Sequence, residues 1–110
     1  MNETERYSLA KELLSIHQTF TCKFQKYGIM AGNSVRATCL TLIKPEGSDI
    51  EIDHLWVESL ELVDAKLRTG QPITIKGTLV KRKRPSAESS EIQLDLRLNN
   101  VKLIKKGKRP

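Results

Sequence analysis

The sequence has only two cysteines, five aromatic residues and no long apolar run. Two cysteines are too few for the disulfide framework of a small secreted domain. No stretch approaches the roughly 20 apolar residues that a membrane-spanning helix requires. Residues 1–5 are acidic and carry no apolar segment of the kind found in signal peptides. These absences predict a cytoplasmic protein in a reducing environment, with no membrane partner.

The net charge of +6 is concentrated in two short segments. Four basic residues are adjacent at 81–84, and five more lie between 102 and 109. The other ten basic residues stand against 13 acidic ones, so the rest of the chain carries a net charge of −3. This distribution predicts one or two local contacts with a polyanion, and it excludes a uniformly basic particle.

A chain of 110 residues accommodates one domain with one hydrophobic core. Residues 1–16 are predicted to form an N-terminal amphipathic helix, because apolar side chains recur at helical spacing from position 4 onward. These side chains are Tyr7, Ala10, Leu13 and Leu14. The helix either docks on the core of the domain or offers Tyr7, Leu13 and Leu14 to a partner protein.

Residues 17–104 are predicted to form the domain itself, from five segments that alternate apolar and polar residues as half-buried strands do. The predicted strands are 17–27, 34–44, 50–57, 73–81 and 91–99. Between the third and fourth strands, residues 58–68 have apolar residues at helical spacing and are predicted to form a short helix, which Gly70 ends. Gly77 interrupts the apolar face of the fourth strand and predicts a bulge or a sharp bend. Residues 81–90 are predicted as a loop, and 105–110 as a flexible basic tail.

The two cysteines fall on the first and second predicted strands. If residues 28–33 close a symmetric hairpin, Cys22 faces Cys39 on its inner surface. Two small buried core residues are the favoured interpretation. A disulfide is an alternative, as is a zinc site with His17 or His54, although no Cys-x-x-Cys spacing supports zinc. We therefore expect no metal and no cofactor.

The order of predicted elements is a helix followed by β-β-β-α-β-β, which is typical of a five-stranded barrel with a helix between its third and fourth strands. This order resembles the oligonucleotide/oligosaccharide-binding fold, or OB-fold. An SH3-like barrel also has five short strands, but only a short turn is expected there in place of the helix. The predicted fold is thus mainly β: a five-stranded OB-fold barrel preceded by an N-terminal helix.

Four sequence segments support a narrower resemblance. They are 24–28 (FQKYG), 39–41 (CLT), 53–57 (DHLWV) and 70–77 (GQPITIKG). In these segments the chain resembles the small OB-like proteins that phages and mobile elements of Gram-positive bacteria encode. Some genes for these proteins lie beside a DNA polymerase gene, as in the replication modules of staphylococcal cassette elements. The resemblance implies an accessory role in DNA replication with a DNA polymerase or helicase as partner. The basic segments are not part of it.

OB-folds bind single strands across their second and third strands, between the loops that follow the first and fourth. The second of these loops is predicted to begin with the basic run, whose charges suit several phosphates, although a merely solvated loop is the alternative. Cations on the outer faces of the first two strands and residues at the first loop complete the surface. The expected contact residues are Lys23, Lys26, Tyr27, Arg36, Lys81, Arg82, Lys83 and Arg84.

Trp56 shares a strand face with Ile50 and Ile52, which indicates that it lies in the core, with base stacking as the alternative. His54 is on the same face and is expected to be buried and hydrogen-bonded.

Catalysis is not expected from this sequence. No serine, histidine and acidic residue form a recognisable nucleophile arrangement, and the glycine-containing loop lacks the Lys-Ser/Thr of a phosphate-binding loop. Asp53 and His54 are neighbours on a strand, so their side chains are expected on opposite faces.

The few aromatic rings and the acidic body indicate modest affinity for nucleic acid, which a partner protein would raise through effective concentration. We therefore expect a single-stranded DNA-binding accessory protein that handles primer or template with a polymerase, DNA being favoured over RNA. The alternative is a protein-interaction module with no autonomous nucleic-acid binding. An RNA-binding regulator is a third possibility.

Overall fold

The structure is a computed structural model that describes residues 3–30, 35–85 and 92–110, with side chains described for 5–29, 36–82 and 96–110. It contains two short α-helices and five strands. The elements are α1 (Glu3–Ala10), a 3₁₀ turn (Lys11–Leu13), β1 (His17–Met30), β2 (Val35–Pro45), β3 (Ile52–Val57), α2 (Leu60–Asp64), β4 (Pro72–Pro85) and β5 (Ile92–Lys106).

The five strands form one antiparallel sheet in the order β3-β2-β1-β4-β5. The central strand, β1, pairs with β4 through residues 17–23 and with β2 through residues 20–30. The sheet is curled, because its two edge strands, β3 and β5, contact each other and α1 packs against both. The prediction of a mainly β fold with five strands and a few short helices is confirmed.

The curled sheet encloses the hydrophobic core. The predicted inner face of β1 is confirmed, since Phe20, Cys22 and Phe24 are all at most 4% exposed. Leu62 of α2 and Leu67 just after it join the same core. Burial of a large apolar side chain contributes about 1.5–3 kcal/mol, so these residues fix the position of α2 against the sheet.

The N-terminal helix is shorter than predicted, because it does not continue to residue 16. The α-helix ends at Ala10, the 3₁₀ turn ends at Leu13, and Ser15 adopts a left-handed conformation with φ of 67°. The backbone N–H of Ser15 donates to the carbonyl of Leu79 at 2.7 Å. This bond to β4 positions the chain to enter β1 at His17, so the helix ends early.

The second helix is also shorter than the predicted 58–68, spanning only Leu60–Asp64. Ser59 caps it, with its hydroxyl accepting from the N–H of Leu62 at 3.3 Å. No helix in the described ranges is long and apolar enough to cross a membrane.

The hairpin of β4 and β5 is longer than predicted. Residues 81–85, expected as a loop, belong to β4 and pair with 92–96 of β5. At the other end, the tail predicted at 105–110 is partly strand, since Lys105 and Lys106 pair with Thr74 and Ile73. The N–H of Gly107 then donates to the carbonyl of Pro72 at 2.7 Å. Strand propensity depends on pairing, so a run of cations gives little local signal that it is extended.

The bulge predicted at Gly77 is confirmed, because the pairing of β4 with β5 is irregular between Lys76 and Thr78. A Cβ at Gly77 would lie 3.2 Å from the carbonyl oxygen of Asn99. The absent side chain therefore permits a close approach of the two backbones.

The register of β1 against β2 differs from that of a symmetric hairpin. Lys26, not Cys22, lies opposite Cys39, and the pairing shifts twice along β1. Both cysteines are nevertheless buried free thiols. Cys22 belongs to the core, as predicted, whereas Cys39 lies in the cross-strand row between Lys26 and Trp56, so the two thiols do not share one inner surface. Burial raises the pKa of Cys22 to about 12, so this thiol is un-ionised at neutral pH.

Candidate nucleic-acid interface

Trp56 lies on the outer face of the sheet, so the prediction that it lies in the core is wrong. Its side chain is 38% exposed, whereas its neighbours Leu55 and Val57 are buried. Ile52 is buried too, so the inward face of β3 changes from even to odd residues between Ile52 and Leu55. The two-residue alternation on which the sequence prediction relied therefore does not hold along the whole of β3. At the same level of the sheet, Leu42 of β2 adopts φ of 51°.

The indole of Trp56 lies across small residues of the neighbouring strands. Lys26 pairs with Cys39, which pairs with Trp56, so the three side chains form one row on the outer face. A Cβ added to Gly28 would lie 2.9 Å from two carbons of the indole ring. The ring therefore rests directly on the backbone of Gly28, and only part of it remains open to solvent.

Two lysines of β1 lie on this outer face. The ammonium of Lys26 is 5.8 Å from the centre of the Trp56 ring, within the range of a cation–π interaction. Lys23 belongs to the adjacent row, opposite Thr41, which in turn pairs with His54. Both lysines are exposed. The sequence prediction placed both in the interface, and the structure brings them to the same face as Trp56.

The hairpin of β4 and β5 supplies the other side of the site. A cleft of about 220 Å³ is lined by Trp56, Glu58, Arg82, Arg97, Leu98, Asn99 and Asn100. Arg97 lies opposite Val80, which is two positions from Arg82, so both guanidinium groups are on one face of the hairpin. Sequence reasoning missed Arg97, although the alternation of the fifth strand already placed it on the outward face.

The basic run at 81–84 is divided by strand geometry. Lys81 lies opposite the buried Leu96, and Arg82 lies opposite Asp95. Because successive residues of a strand point to opposite faces, Lys81 and Arg82 do not act together. Lys83 and Arg84 also belong to β4, but their side chains lie outside the described residues. The basic run is therefore strand where a loop was predicted, and of its described side chains Arg82 lines the cleft.

Tyr27 and Arg36 lie on the opposite face of the β1–β2 hairpin from Lys26, so they do not join Trp56. The hydroxyl of Tyr27 donates to the carbonyl of Leu62 at 2.7 Å and accepts from the N–H of Leu67 at 2.9 Å. Its ring packs on Phe24 with 4.5 Å between centroids. Arg36 pairs with Ile29, which shares the face of Tyr27, and so the outer-face prediction for Arg36 is wrong.

The apolar stripe of the N-terminal segment is turned towards the protein itself. Tyr7, Leu13 and Leu14 are half-buried and pack against the core. Of the two alternatives for this helix, docking on the core of its own domain therefore fits these three side chains. They present little free surface to a partner protein.

An ion pair that sequence reasoning missed joins α1 to β3. Arg6 is only 5% exposed, and its Nε donates to a carboxylate oxygen of Asp53 at 2.9 Å. His54 Nδ1 lies 2.9 Å from the other carboxylate oxygen, so the expectation that Asp53 and His54 point apart is wrong. His54 is also more exposed than expected, at 44% of its side chain.

The environment of Asp53 favours its ionised form. Partial burial alone would raise the pKa of Asp53, but hydrogen bonds from Arg6 and His54 and the charge of Arg6 outweigh it and lower the pKa to about 2. The carboxylate is therefore charged throughout the physiological range and acts as a tether between helix and sheet.

In the described part of the chain, no three His, Cys, Asp or Glu side chains converge as metal ligands. Comparison with protein-family models, with curated proteins and with solved structures finds no match for this chain.

Proposed function

We propose that this chain is an OB-fold protein that binds single-stranded DNA and acts as an accessory to a replicative partner in the cytoplasm. The observation that carries the proposal is the half-exposed indole of Trp56, which has Lys26 beside its ring and lines a cleft with Arg82 and Arg97. An exposed ring between cations is the arrangement that binds a base and the phosphates on either side of it.

The strand order supports the OB-fold. In that fold the first strand pairs with the second and the fourth, and the third and fifth strands come together to close the barrel. Here β1 pairs with β2 and β4, the edge strands β3 and β5 contact each other, and α2 lies between β3 and β4. The cleft beside Trp56 lies between the end of β3 and the β4–β5 hairpin, and this position supports a ligand site of the OB-fold kind.

The chemistry of the cleft suits a single strand. Stacking of a base on an aromatic ring contributes about 1–3 kcal/mol. The guanidinium groups of Arg82 and Arg97 provide paired donors for phosphate oxygens, and Lys23 and Lys26 add point charges on the opposite side. One ring and four cations supply moderate affinity, which agrees with an accessory held near DNA by a larger partner.

The choice of DNA over RNA, and of a DNA polymerase or helicase as the partner, rests on the resemblance to small OB-like proteins of mobile elements. Non-enzymatic function is part of the same proposal, since the site offers stacking and charge and no arranged nucleophile.

The test uses Trp56, which is the only tryptophan of the chain. Its emission is followed while the protein is titrated with oligo-dT, a matched RNA and a matched duplex, at two salt concentrations. We expect the single strands to quench the emission, DNA to bind more tightly than RNA and duplex, and added salt to weaken binding. Absence of quenching and of anisotropy change at micromolar protein contradicts autonomous binding.

The chain offers a matched pair of variants for this site. Arg82→Gln removes a charge from the cleft, whereas Lys81→Gln removes one from the opposite face of the same strand. We expect Arg82→Gln to weaken oligo-dT binding several-fold. It should also reduce the salt slope, which is the slope of log K against log salt concentration, by about 0.7 in magnitude. Lys81→Gln should change the affinity and the salt slope far less. Equal effects of the two substitutions show that the cleft is not the binding site.

A further inference from the structure

A second groove lies on the other face of the β1–β2 hairpin, against α2 and the segment that follows it. Its volume is about 740 Å³. The residues that define it are Tyr27, Ile29, Arg36, Val63, Lys66 and Arg68. Ile29 is 72% exposed, which is unusual for a large aliphatic side chain beside a concave surface.

Hydrogen bonds hold the two sides of this groove together without a ligand. The hydroxyl of Tyr27 joins β1 to the carbonyl of Leu62 and the N–H of Leu67. The hydroxyl of Thr69 donates to the carbonyl of Gln25 at 2.9 Å. Because these bonds fix the segment after α2 against β1, a ligand would meet a largely preformed site.

The charge of the groove selects an acidic ligand. Arg36, Lys66 and Arg68 line it with exposed side chains, and Asp64 is the acidic residue among the lining side chains. A ligand with carboxylates would find an excess of positive charge here, with guanidinium groups suited to bidentate pairing.

The apolar part of the groove distinguishes a peptide from a nucleic acid. Ile29 and Val63 are aliphatic and offer no ring face for a base. The aromatic residue present, Tyr27, has its ring against Phe24 and its hydroxyl engaged with α2. An aliphatic or aromatic side chain of a peptide, in contrast, gains free energy by covering Ile29.

We propose that this groove binds a peptide segment of a partner protein in which acidic residues flank a large apolar side chain. The apolar side chain covers Ile29 and Val63, and the carboxylates pair with Arg36, Lys66 and Arg68. The groove and the indole of Trp56 are on opposite faces of the β1–β2 hairpin, so a peptide in the groove would leave the Trp56 cleft open. This proposal does not depend on the nucleic-acid proposal.

The test begins with a random peptide library of about twelve residues, selected on the full chain and counter-selected on Ile29→Asp. We expect the enriched peptides to share acidic residues around one large apolar residue. The best peptide is then synthesised with fluorescein and its Kd is measured by anisotropy. Lys66→Glu should raise this Kd at least about tenfold and Ile29→Ala several-fold, whereas Lys76→Glu, the same change at an exposed lysine of β4, should not alter it.

Several results would overturn the proposal. The selection could enrich no sequence over the Ile29→Asp background. The enriched peptides could lack acidic residues, or Lys66→Glu could leave peptide binding unchanged. Displacement of the peptide by oligo-dT would assign the groove to nucleic acid, and a dimer dissociated by Ile29→Asp would assign it to a second copy of the chain. Trp56→Ala should leave peptide binding intact. This variant therefore distinguishes failure of the peptide proposal from failure of the nucleic-acid proposal.

Discussion

At the scale of single residues, Trp56 has the largest influence on the proposed function. A large aromatic side chain contributes most to stability when it is buried, yet this one is partly exposed and rests on Gly28. The small residue beneath it and the cation beside it hold the ring flat against the sheet. Because the ring is already ordered, less side-chain entropy is lost when a base stacks on it.

We expect Trp56→Ala to weaken oligo-dT binding by about 1–3 kcal/mol, from roughly fivefold to more than a hundredfold in Kd, because the stacking surface is lost. Trp56→Phe keeps a smaller ring and should retain much of the affinity. Anisotropy of a labelled oligonucleotide measures both variants, and neither should change the salt slope, since no charge is removed. Unaltered affinity in Trp56→Ala would rule out stacking at this residue.

Asp53 gives the protein a defined response to acid. Its pKa is about 2 in the folded state against an ordinary value of 3.8, so the folded state favours the carboxylate. The resulting stabilisation is complete above pH 3.8 and is lost as the pH falls from 3.8 to about 2. Because the carboxyl group is about one-third exposed, we discount the contribution to about 1–2 kcal/mol.

Asp53→Asn should lower the free energy of unfolding at pH 7 by about 1–2 kcal/mol and should remove this part of the acid sensitivity. Urea denaturation at pH 7 and at several values below pH 4 measures both effects. Asp64→Asn, at an exposed acid on α2, is the control and should change neither. A variant at position 53 with wild-type stability at pH 7 would show that the contact with Arg6 contributes nothing.

At the scale of elements, the hydroxyl of Tyr27 links β1 both to α2 and to the segment after it. Tyr27 satisfies a carbonyl of the helix and an N–H just beyond it, so it replaces part of the hydrogen bonding that such a short helix lacks at its end. The same contact shapes the second groove. A five-residue helix has little stability of its own, so its place depends on such tertiary contacts.

Tyr27→Phe retains the ring on Phe24 and removes only the hydroxyl. We expect a loss of about 1–3 kcal/mol in unfolding free energy, because the N–H of Leu67 and the carbonyl of Leu62 lose their partner. Hydrogen exchange should accelerate at residues 60–67 and remain slow in β1 and β4. Tyr7→Phe, at another half-buried tyrosine, is the control. Uniform acceleration over the whole sheet would contradict a local role for Tyr27.

At the scale of the whole molecule, the arrangement of charge matters more than its sum. The net charge is +6, but four described cations are associated with the face of Trp56: Arg82 and Arg97 line the cleft, Lys26 lies beside the ring, and Lys23 belongs to the neighbouring row. The cations of the second groove lie on the other face of the hairpin. Among the described residues, these two positive surfaces are thus separate: one has an exposed ring and the other has exposed aliphatic groups.

This arrangement predicts the salt dependence of binding. Each phosphate neutralised on a single strand contributes about −0.7 to the slope of log K against log salt concentration, so four contacts give a slope of about −3. Titrations of oligo-dT at four or more salt concentrations measure it. A slope near −6 would show that the remaining basic run or the C-terminal residues also contact the strand, and a slope near zero would exclude phosphate contacts altogether.

The sequence by itself determined the class of fold. Alternation in the five segments and the helical period between the third and fourth strands depend only on which side chains must be buried, and burial is the dominant favourable term in folding. The inner face of β1 and the bulge at Gly77 were predictable for the same reason, since each is a local consequence of side-chain size.

Only the tertiary structure decided where the candidate site lies. The exposure of Trp56 follows a change in the inward face of β3 between Ile52 and Leu55, which the order of residue types does not signal. The division of the basic run follows the pairing of β4 with β5, and the ion pair of Arg6 with Asp53 joins residues 47 positions apart. Register, backbone handedness and distant charge pairs are set by the packing of the whole sheet, so no local pattern contains them.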